Sequence, residues 1–161
     1  MDKAKMARWS AIIVPVVLAI SVPLLPRHSA HAEKDPLELT AQGVISENVR
    51  TEYASEIDDC YHEAGQSARG PRFLDCIRRH ARSQEDALAA VFDARMSYLE
   101  ASPELAAALQ HSQTTWVQFR EANCAYIRAI ARPSYADEAF QNCVLRTTIY
   151  RRVHLRWSVG D

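Results

Sequence analysis

Apolar residues recur along this chain at spacings of three and four, and after residue 32 no stretch alternates apolar and polar residues as a strand does. The pattern predicts four helices, at about 46–63, 73–101, 105–130 and 136–157. Breaks at 65–71, at Ser102 and Pro103, and at Arg132 and Pro133 separate them, because Gly and Pro interrupt helices. The expected fold is therefore all-α, a small antiparallel bundle of about four helices.

The third helix carries the most distinctive residues and is the one around which we expect the others to pack. Gln113, Trp116, Arg120 and Cys124 lie at offsets of three, four and four, which places them on one side of this helix. The inward positions predicted for the other helices are Val49, Tyr53 and Ile57 in the first, Phe73, Ile77, His80, Leu88, Val91, Phe92 and Leu99 in the second, and Phe140, Val144, Thr147, Tyr150, Val153 and Trp157 in the fourth.

The first 32 residues have the pattern of a secretory signal peptide. Three cations, Lys3, Lys5 and Arg8, precede an apolar run at 11–25, and residues 30–32 form a small-x-small cleavage site. A membrane anchor is the alternative, but the run is short for a span of about 20 residues and contains two prolines. Residues 33–45 are expected to form a flexible arm and residues 46–161 the helical domain.

All four cysteines follow the predicted cleavage site. An even number of Cys in a small exported chain predicts two disulfides, for which three connectivities exist. In an antiparallel helix pair, residues equidistant from the turn lie at the same height. Cys60 and Cys76 are equidistant from residue 68, and Cys124 and Cys143 from the Pro133 turn. We therefore predict one disulfide within each helical hairpin, Cys60–Cys76 and Cys124–Cys143.

Charge bears on the class of partner. Cleavage after residue 32 would remove four basic and one acidic side chains from the 19 and 20 of the whole chain, leaving a net charge of −4. A mildly acidic exported domain is a poor nucleic-acid binder. Acidic residues crowd the first helix and suit a basic protein partner, or else merely keep the helix solvated: Glu47, Glu52, Glu56, Asp58, Asp59 and Glu63. The basic end of the fourth helix (Arg146, Arg151, Arg152 and Arg156) would meet them if the two helices lie side by side.

The third and fourth helices together resemble the LprI-like family of exported bacterial proteins. Its Gln-x-x-Trp-x-x-x-Arg-x-x-x-Cys pattern is matched by Gln113, Trp116, Arg120 and Cys124, and a later Cys, Thr, Arg and Leu by Cys143, Thr148, Arg151 and Leu155. The earlier Cys60 and Cys76 match as well. In the second helix Asp86, Leu88 and Phe92 fit the family pattern, but Ala89 stands where the family has Asn. The resemblance covers residues 60–155.

The resemblance implies an exported, non-enzymatic binding protein with a lysozyme as candidate partner, since the family takes its name from a lysozyme inhibitor. The alternative is a structural or chaperone-like protein of the bacterial envelope without lysozyme affinity. Trp116 and Arg120 suit a binding hot spot, but their helical spacing favours a structural role, with Trp116 beside Phe92 or Tyr150 and Arg120 paired with an acid such as Asp86. Thr148 and Arg151 present the same choice.

No cofactor is implied by the sequence. The chain lacks Gly-x-Ser-x-Gly, His-Glu-x-x-His and Cys-x-x-Cys-His motifs, so neither hydrolytic chemistry nor c-type haem has support. A zinc site from Cys60, His62, Cys76 and His80 is the metal alternative, which the expected disulfide and the wide cysteine spacing disfavour. The predicted protein holds no metal and, after cleavage, no membrane span.

Overall fold

The computed structural model describes residues 36–65 and 70–157, with side chains from Gly43 onward. Four helices follow one another: α1 (Pro36–Ala64), α2 (Pro71–Tyr98), α3 (Pro103–Ile130) and α4 (Ala136–Trp157), with a short 3₁₀ turn at Pro133–Tyr135 before α4. The described residues contain no strand. The all-α prediction is confirmed, and the predicted signal peptide, residues 1–32, lies outside the described residues.

Helix boundaries follow local chemistry. α2 and α3 each begin with a proline, whose fixed φ and missing N–H suit the first helical turn. α1 is followed by Gly65 at φ +66°, the left-handed conformation in which helices commonly terminate. The prediction that α1 begins at Ser46 was wrong. The helix begins at Pro36, within the segment for which we expected a flexible arm; Ile45 is the first buried apolar side chain among the α1 residues from 43 onward.

Both predicted disulfides are present. Cys60–Cys76 closes the α1–α2 hairpin and Cys124–Cys143 closes the α3–α4 hairpin, each with Cα atoms 5.5 Å apart. All four cysteines are buried. Each bridge closes a loop of 16 or 19 residues, which contributes about 3 kcal/mol in the chain-entropy model.

The central helix of the bundle is α4, not α3 as predicted. α4 packs against α1, α2 and α3, and α1 also packs against α2. Among the described residues of α3, Cys124 alone is buried, whereas nine residues of α4 are buried. The prediction was wrong because it weighted the distinctive residue types of α3, while burial follows the number of faces that a helix presents to its neighbours.

The core is formed by α1, α2 and α4. Its fully buried members include Phe73 and Ile77 of α2 and Leu145 and Ile149 of α4. Two side chains predicted to point inward from α4 do not: Tyr150 is 49% and Trp157 53% exposed. The buried positions of α4 are instead Ala139, Cys143, Leu145, Thr148, Ile149, Arg151, Arg152, Val153 and Leu155. The spacing of apolar residues did not predict this buried face, because two of its residues are arginines.

Candidate functional site

The residues of the family-like motif meet one another between α3 and α4. Two guanidiniums contact the ring of Trp116, whose centroid lies 5.0 Å from Arg120 Cζ and 5.9 Å from Arg151 Cζ. Arg151 Nε donates a 2.9 Å hydrogen bond to Gln113 Oε1. Arg120 Nη1 donates a 3.1 Å hydrogen bond to Thr148 Oγ1. Cation–π contacts and hydrogen bonds therefore join five motif side chains across the second hairpin.

These contacts occupy the motif cations inside the molecule. Arg151 is 9% exposed and also donates from Nη2 to Ser112 Oγ at 3.0 Å. Burial lowers the pKa of the Arg151 guanidinium from its usual value, but an arginine stays charged at neutral pH. Arg120 forms its ion pair with Glu85 at 2.8 Å, rather than with the neighbouring Asp86 that we expected. The pair also ties α3 to α2.

Leu155, the last residue that matches the family pattern, and Tyr150, which we expected near Trp116, both lie on α4. Leu155 is buried, and its carbonyl oxygen accepts a 3.1 Å hydrogen bond from Arg95 Nε, which joins α2 to the end of α4. Tyr150, which we expected beside Trp116, is half exposed and stacks on His154 at 6.1 Å between ring centroids.

A second polar network, of which the sequence indicated only the pairing of α4 cations with α1 acids, lies between α1, α2 and α4. Arg152 is 5% exposed; its Nε donates to Gln84 Oε1 at 2.9 Å, and its Nη2 pairs with Glu52. Gln84 Nε2 donates to Glu56 Oε1 at 2.6 Å, and Glu56 also pairs with His80 Nδ1. The expectation that the basic end of α4 meets the acidic α1 is thus confirmed at the Arg152–Glu52 pair. The sequence offered one signal for the burial of Arg152: its position lies among the apolar positions 149, 153 and 155 of α4.

This network changes the acidic surface considered for partner binding. Glu52 and Glu56 face the interior of the bundle. Glu47 pairs with Arg50 at 2.6 Å on the same helix, and Glu63 pairs with Arg79 of α2 at 2.5 Å. The remaining two acidic residues, Asp58 and Asp59, are exposed near the C-terminal end of α1.

Open clefts lie between the hairpins in the part of the chain that the structure describes. One of about 410 Å³ is walled by Arg82 and Glu85 of α2 and Arg120 of α3, over Phe140 of α4. Another of about 480 Å³ lies where the two hairpin turns meet, beside Gly70 and Tyr135. Neither of these two clefts is lined by a histidine or a cysteine. The lining of each of these two clefts therefore combines charged and apolar side chains.

The cluster that the sequence spacing suggested as a metal site surrounds the first disulfide. The ligand atoms of Cys60, Cys76 and His80 lie within 4.8 Å of one another. The two sulfurs are joined in a disulfide and so lack the thiolate form that zinc requires. His80 is engaged with Glu56, and His62 is exposed. The donor set does not fit zinc while the disulfide is intact.

His154 of α4 is a partly buried titratable residue whose ring stacks on Tyr150. Its Nδ1 atom is buried and has no hydrogen-bond partner among the described residues. Burial lowers the pKa of His154, and the positive charge of Arg151 lowers it further. The imidazole is therefore neutral at neutral pH.

Comparison with known proteins gives one informative result. A family model described as lysozyme inhibitor LprI matches residues 52–155, nearly two thirds of the chain. No curated protein and no solved structure matches significantly. Within the part of the chain that the structure describes, no helix combines the length and apolar character needed to cross a bilayer.

Proposed function

The chain belongs to the LprI family of lysozyme inhibitors, and on that premise we propose that it is an exported protein that binds a lysozyme and slows the enzyme by covering part of its surface. The family match carries this proposal, because it spans both disulfide-closed hairpins. Disulfides persist in oxidising compartments. We therefore place the protein in the bacterial periplasm or outside the cell, with residues 1–32 as its signal peptide.

Inhibition by contact, without catalysis, fits the way the side chains are used. Arg120, Arg151 and Arg152 hold helices together. Two disulfides reduce the freedom of the hairpins, so little ordering entropy is lost when a partner binds. A rigid scaffold of this kind suits a protein inhibitor, whose affinity depends on a surface organised before contact.

The contact surface that we propose is the outer side of the first hairpin near its turn. Asp58 and Asp59 are exposed there, and the Glu63–Arg79 pair joins the same two helices that the Cys60–Cys76 bridge links. Lysozymes of the hen type are basic, so exposed carboxylates would steer their approach. Glu47, another exposed acid among the α1 residues whose side chains the structure describes, is neutralised locally by Arg50.

A turbidity assay of cell-wall lysis tests the proposal. The protein, expressed as the full chain and recovered after export, should slow lysis by a basic lysozyme at micromolar concentration. If lysis is not slowed at that concentration, lysozyme is not the target. Retention of other envelope proteins on the immobilised protein would then favour the structural or chaperone-like alternative.

A matched pair of double variants tests the proposed contact surface independently of lysozyme inhibition itself. Asp58→Lys with Asp59→Lys should slow association about tenfold at low salt, because exposed charges act mainly on the association rate. Asp86→Lys with Asp93→Lys makes the same change in charge at exposed positions of α2 and should act less. Equal effects of both pairs would place the contact elsewhere and leave lysozyme inhibition itself standing.

A further inference from the structure

α3 presents a long apolar face to solvent. The residues on the side away from α4 repeat at alternating spacings of four and three, and all are exposed; we define them as the outer stripe: Thr115, Phe119, Ala122, Tyr126 and Ala129. Phe119 is 60% and Tyr126 61% exposed, and the adjoining Ile130 is 62% exposed. Single exposed apolar residues are ordinary, but several on one helix face form a patch of the kind that marks contact surfaces.

The outer stripe carries no charge over about four helical turns. Residues 112–130 include three ionised side chains, Arg120, Glu121 and Arg128, and all three project from the other side of α3. Arg120 pairs with Glu85, and Arg128 pairs with Asp137 of α4 at 2.7 Å. A helix face that meets only water normally carries charged residues. An uncharged face can meet an identical copy of itself without repulsion between like charges.

We propose that the outer stripe of α3 is the interface of a homodimer in which the α3 helices of two copies pack antiparallel. The three-four spacing is that of a coiled-coil seam. In the antiparallel register that we assign, Phe119 faces Ala122 of the other copy and Tyr126 faces Thr115. Each large side chain then meets a small one, twice by symmetry, so the helices keep an even separation. In a parallel pair, aromatic rings would face each other and Ala122 would face itself, leaving voids.

Size and charge favour a second copy over other occupants. The exposed parts of Phe119, Tyr126 and Ile130 offer about 100 Å² each, and with the small residues between them two copies bury about 1,000 Å², the lower bound for a specific interface. This area predicts a weak dimer. A membrane-binding helix would be rich in Lys and Arg beside its apolar face, and α3 has no Lys. A basic enzyme would select an acidic surface, which the outer stripe is not.

Analytical ultracentrifugation of the exported protein, from low micromolar to several hundred micromolar, tests the interface. The wild-type protein should show a concentration-dependent dimer. Tyr126→Glu and Thr115→Lys should each weaken it at least about 100-fold, because each places two like charges in an apolar seam. Combining the two substitutions should restore dimerisation, since the new carboxylate of one copy then faces the new ammonium of the other. Positions 115 and 126 are three turns apart, so the pair cannot form within one helix.

Ala125→Glu is the matched control, since it introduces the same charge at an exposed position of α3 beside the outer stripe. It should leave the dimer unchanged. A wild-type protein that stays monomeric throughout, or single variants that dimerise like the control, would overturn the proposal. A double variant that remains monomeric would overturn the antiparallel register. A monomer that loses lysozyme affinity or vesicle binding on Tyr126→Glu would assign the outer stripe to that partner instead.

Discussion

Arg152→Leu is the substitution that tests the interior network most severely. The side chain is nearly buried and donates to both Gln84 and Glu52. Leucine would keep the volume approximately but leave Gln84 and a carboxylate without their cation. Gln84 is 7% exposed, so water cannot fully replace the lost bond.

The expected loss in the free energy of unfolding follows from the hydrogen bonds and the ion pair that Arg152→Leu removes. Hydrogen bonds to charged groups are each worth about 1.5–3 kcal/mol, and breaking one partner of a buried pair costs about 3–5 kcal/mol. Because the Glu52 side chain is 32% exposed, solvent offsets part of this. We expect a loss of about 3 kcal/mol in the free energy of unfolding, which corresponds to a Tm lower by about 10 °C for a domain of this size.

Urea unfolding followed by circular dichroism under non-reducing conditions measures the loss. Arg156→Leu is the control, because Arg156 lies one turn along α4 with an exposed side chain, and it should cost less than about 0.5 kcal/mol. Combining Arg152→Leu with Glu52→Leu should recover part of the loss, since no unpaired carboxylate remains. A loss below about 1 kcal/mol for Arg152→Leu, or one equal to the control, would refute the structural role of this network.

Three further substitutions probe other parts of the molecule by the same unfolding assay. His154→Phe should stabilise by about 1 kcal/mol near pH 7, because it removes a buried nitrogen without a partner. Because the folded-state pKa of His154 is lowered, the unfolded chain binds the extra proton, and wild-type stability should fall as the pH drops below about 6.5. The difference in the free energy of unfolding between His154→Phe and wild type should therefore widen at lower pH. A difference that stays constant with pH would contradict the burial of this ring. Gly43→Ala, in the interior of α1 with open space around it, should stabilise by about 0.5–1 kcal/mol, and a loss would mean that α1 does not extend to this residue. Arg151→Met should cost about 2–4 kcal/mol by leaving Gln113 without its donor, and an unchanged midpoint would place Arg151 outside the α3–α4 contact.

Sequence reasoning succeeded where the signal is local. The breaks at Pro71, Pro103 and Pro133 define the helices because proline acts on its own turn. The pairing of Cys60 with Cys76 and of Cys124 with Cys143 follows from their equal distances to these breaks. Both inferences use only the geometry of an antiparallel helix pair.

The interior of α4 was predicted less well, for a physical reason. Arg151 and Arg152 are buried because partners on α3, α2 and α1 satisfy their donors, and those partners lie 38 to 100 residues away in the chain. A pattern of apolar spacing assigns arginine to the surface. It therefore moved the predicted inward face of α4 toward Tyr150 and Trp157, which are exposed.

The same long-range pairing decides which acidic residues remain available to a partner. Glu52 and Glu56 look like surface charges in the sequence, but each is used inside the bundle. Asp58 and Asp59 are exposed to solvent, as the sequence pattern suggests. A contact surface on α1 is thus narrower than the charge pattern alone indicates.

Peptide mapping of the non-reduced exported protein by mass spectrometry tests the two-hairpin architecture most directly. Digestion between the cysteines should yield two linked peptide pairs, one joining Cys60 to Cys76 and one joining Cys124 to Cys143. A peptide that links a cysteine of the first hairpin to one of the second, or four free thiols in the exported protein, would contradict this architecture.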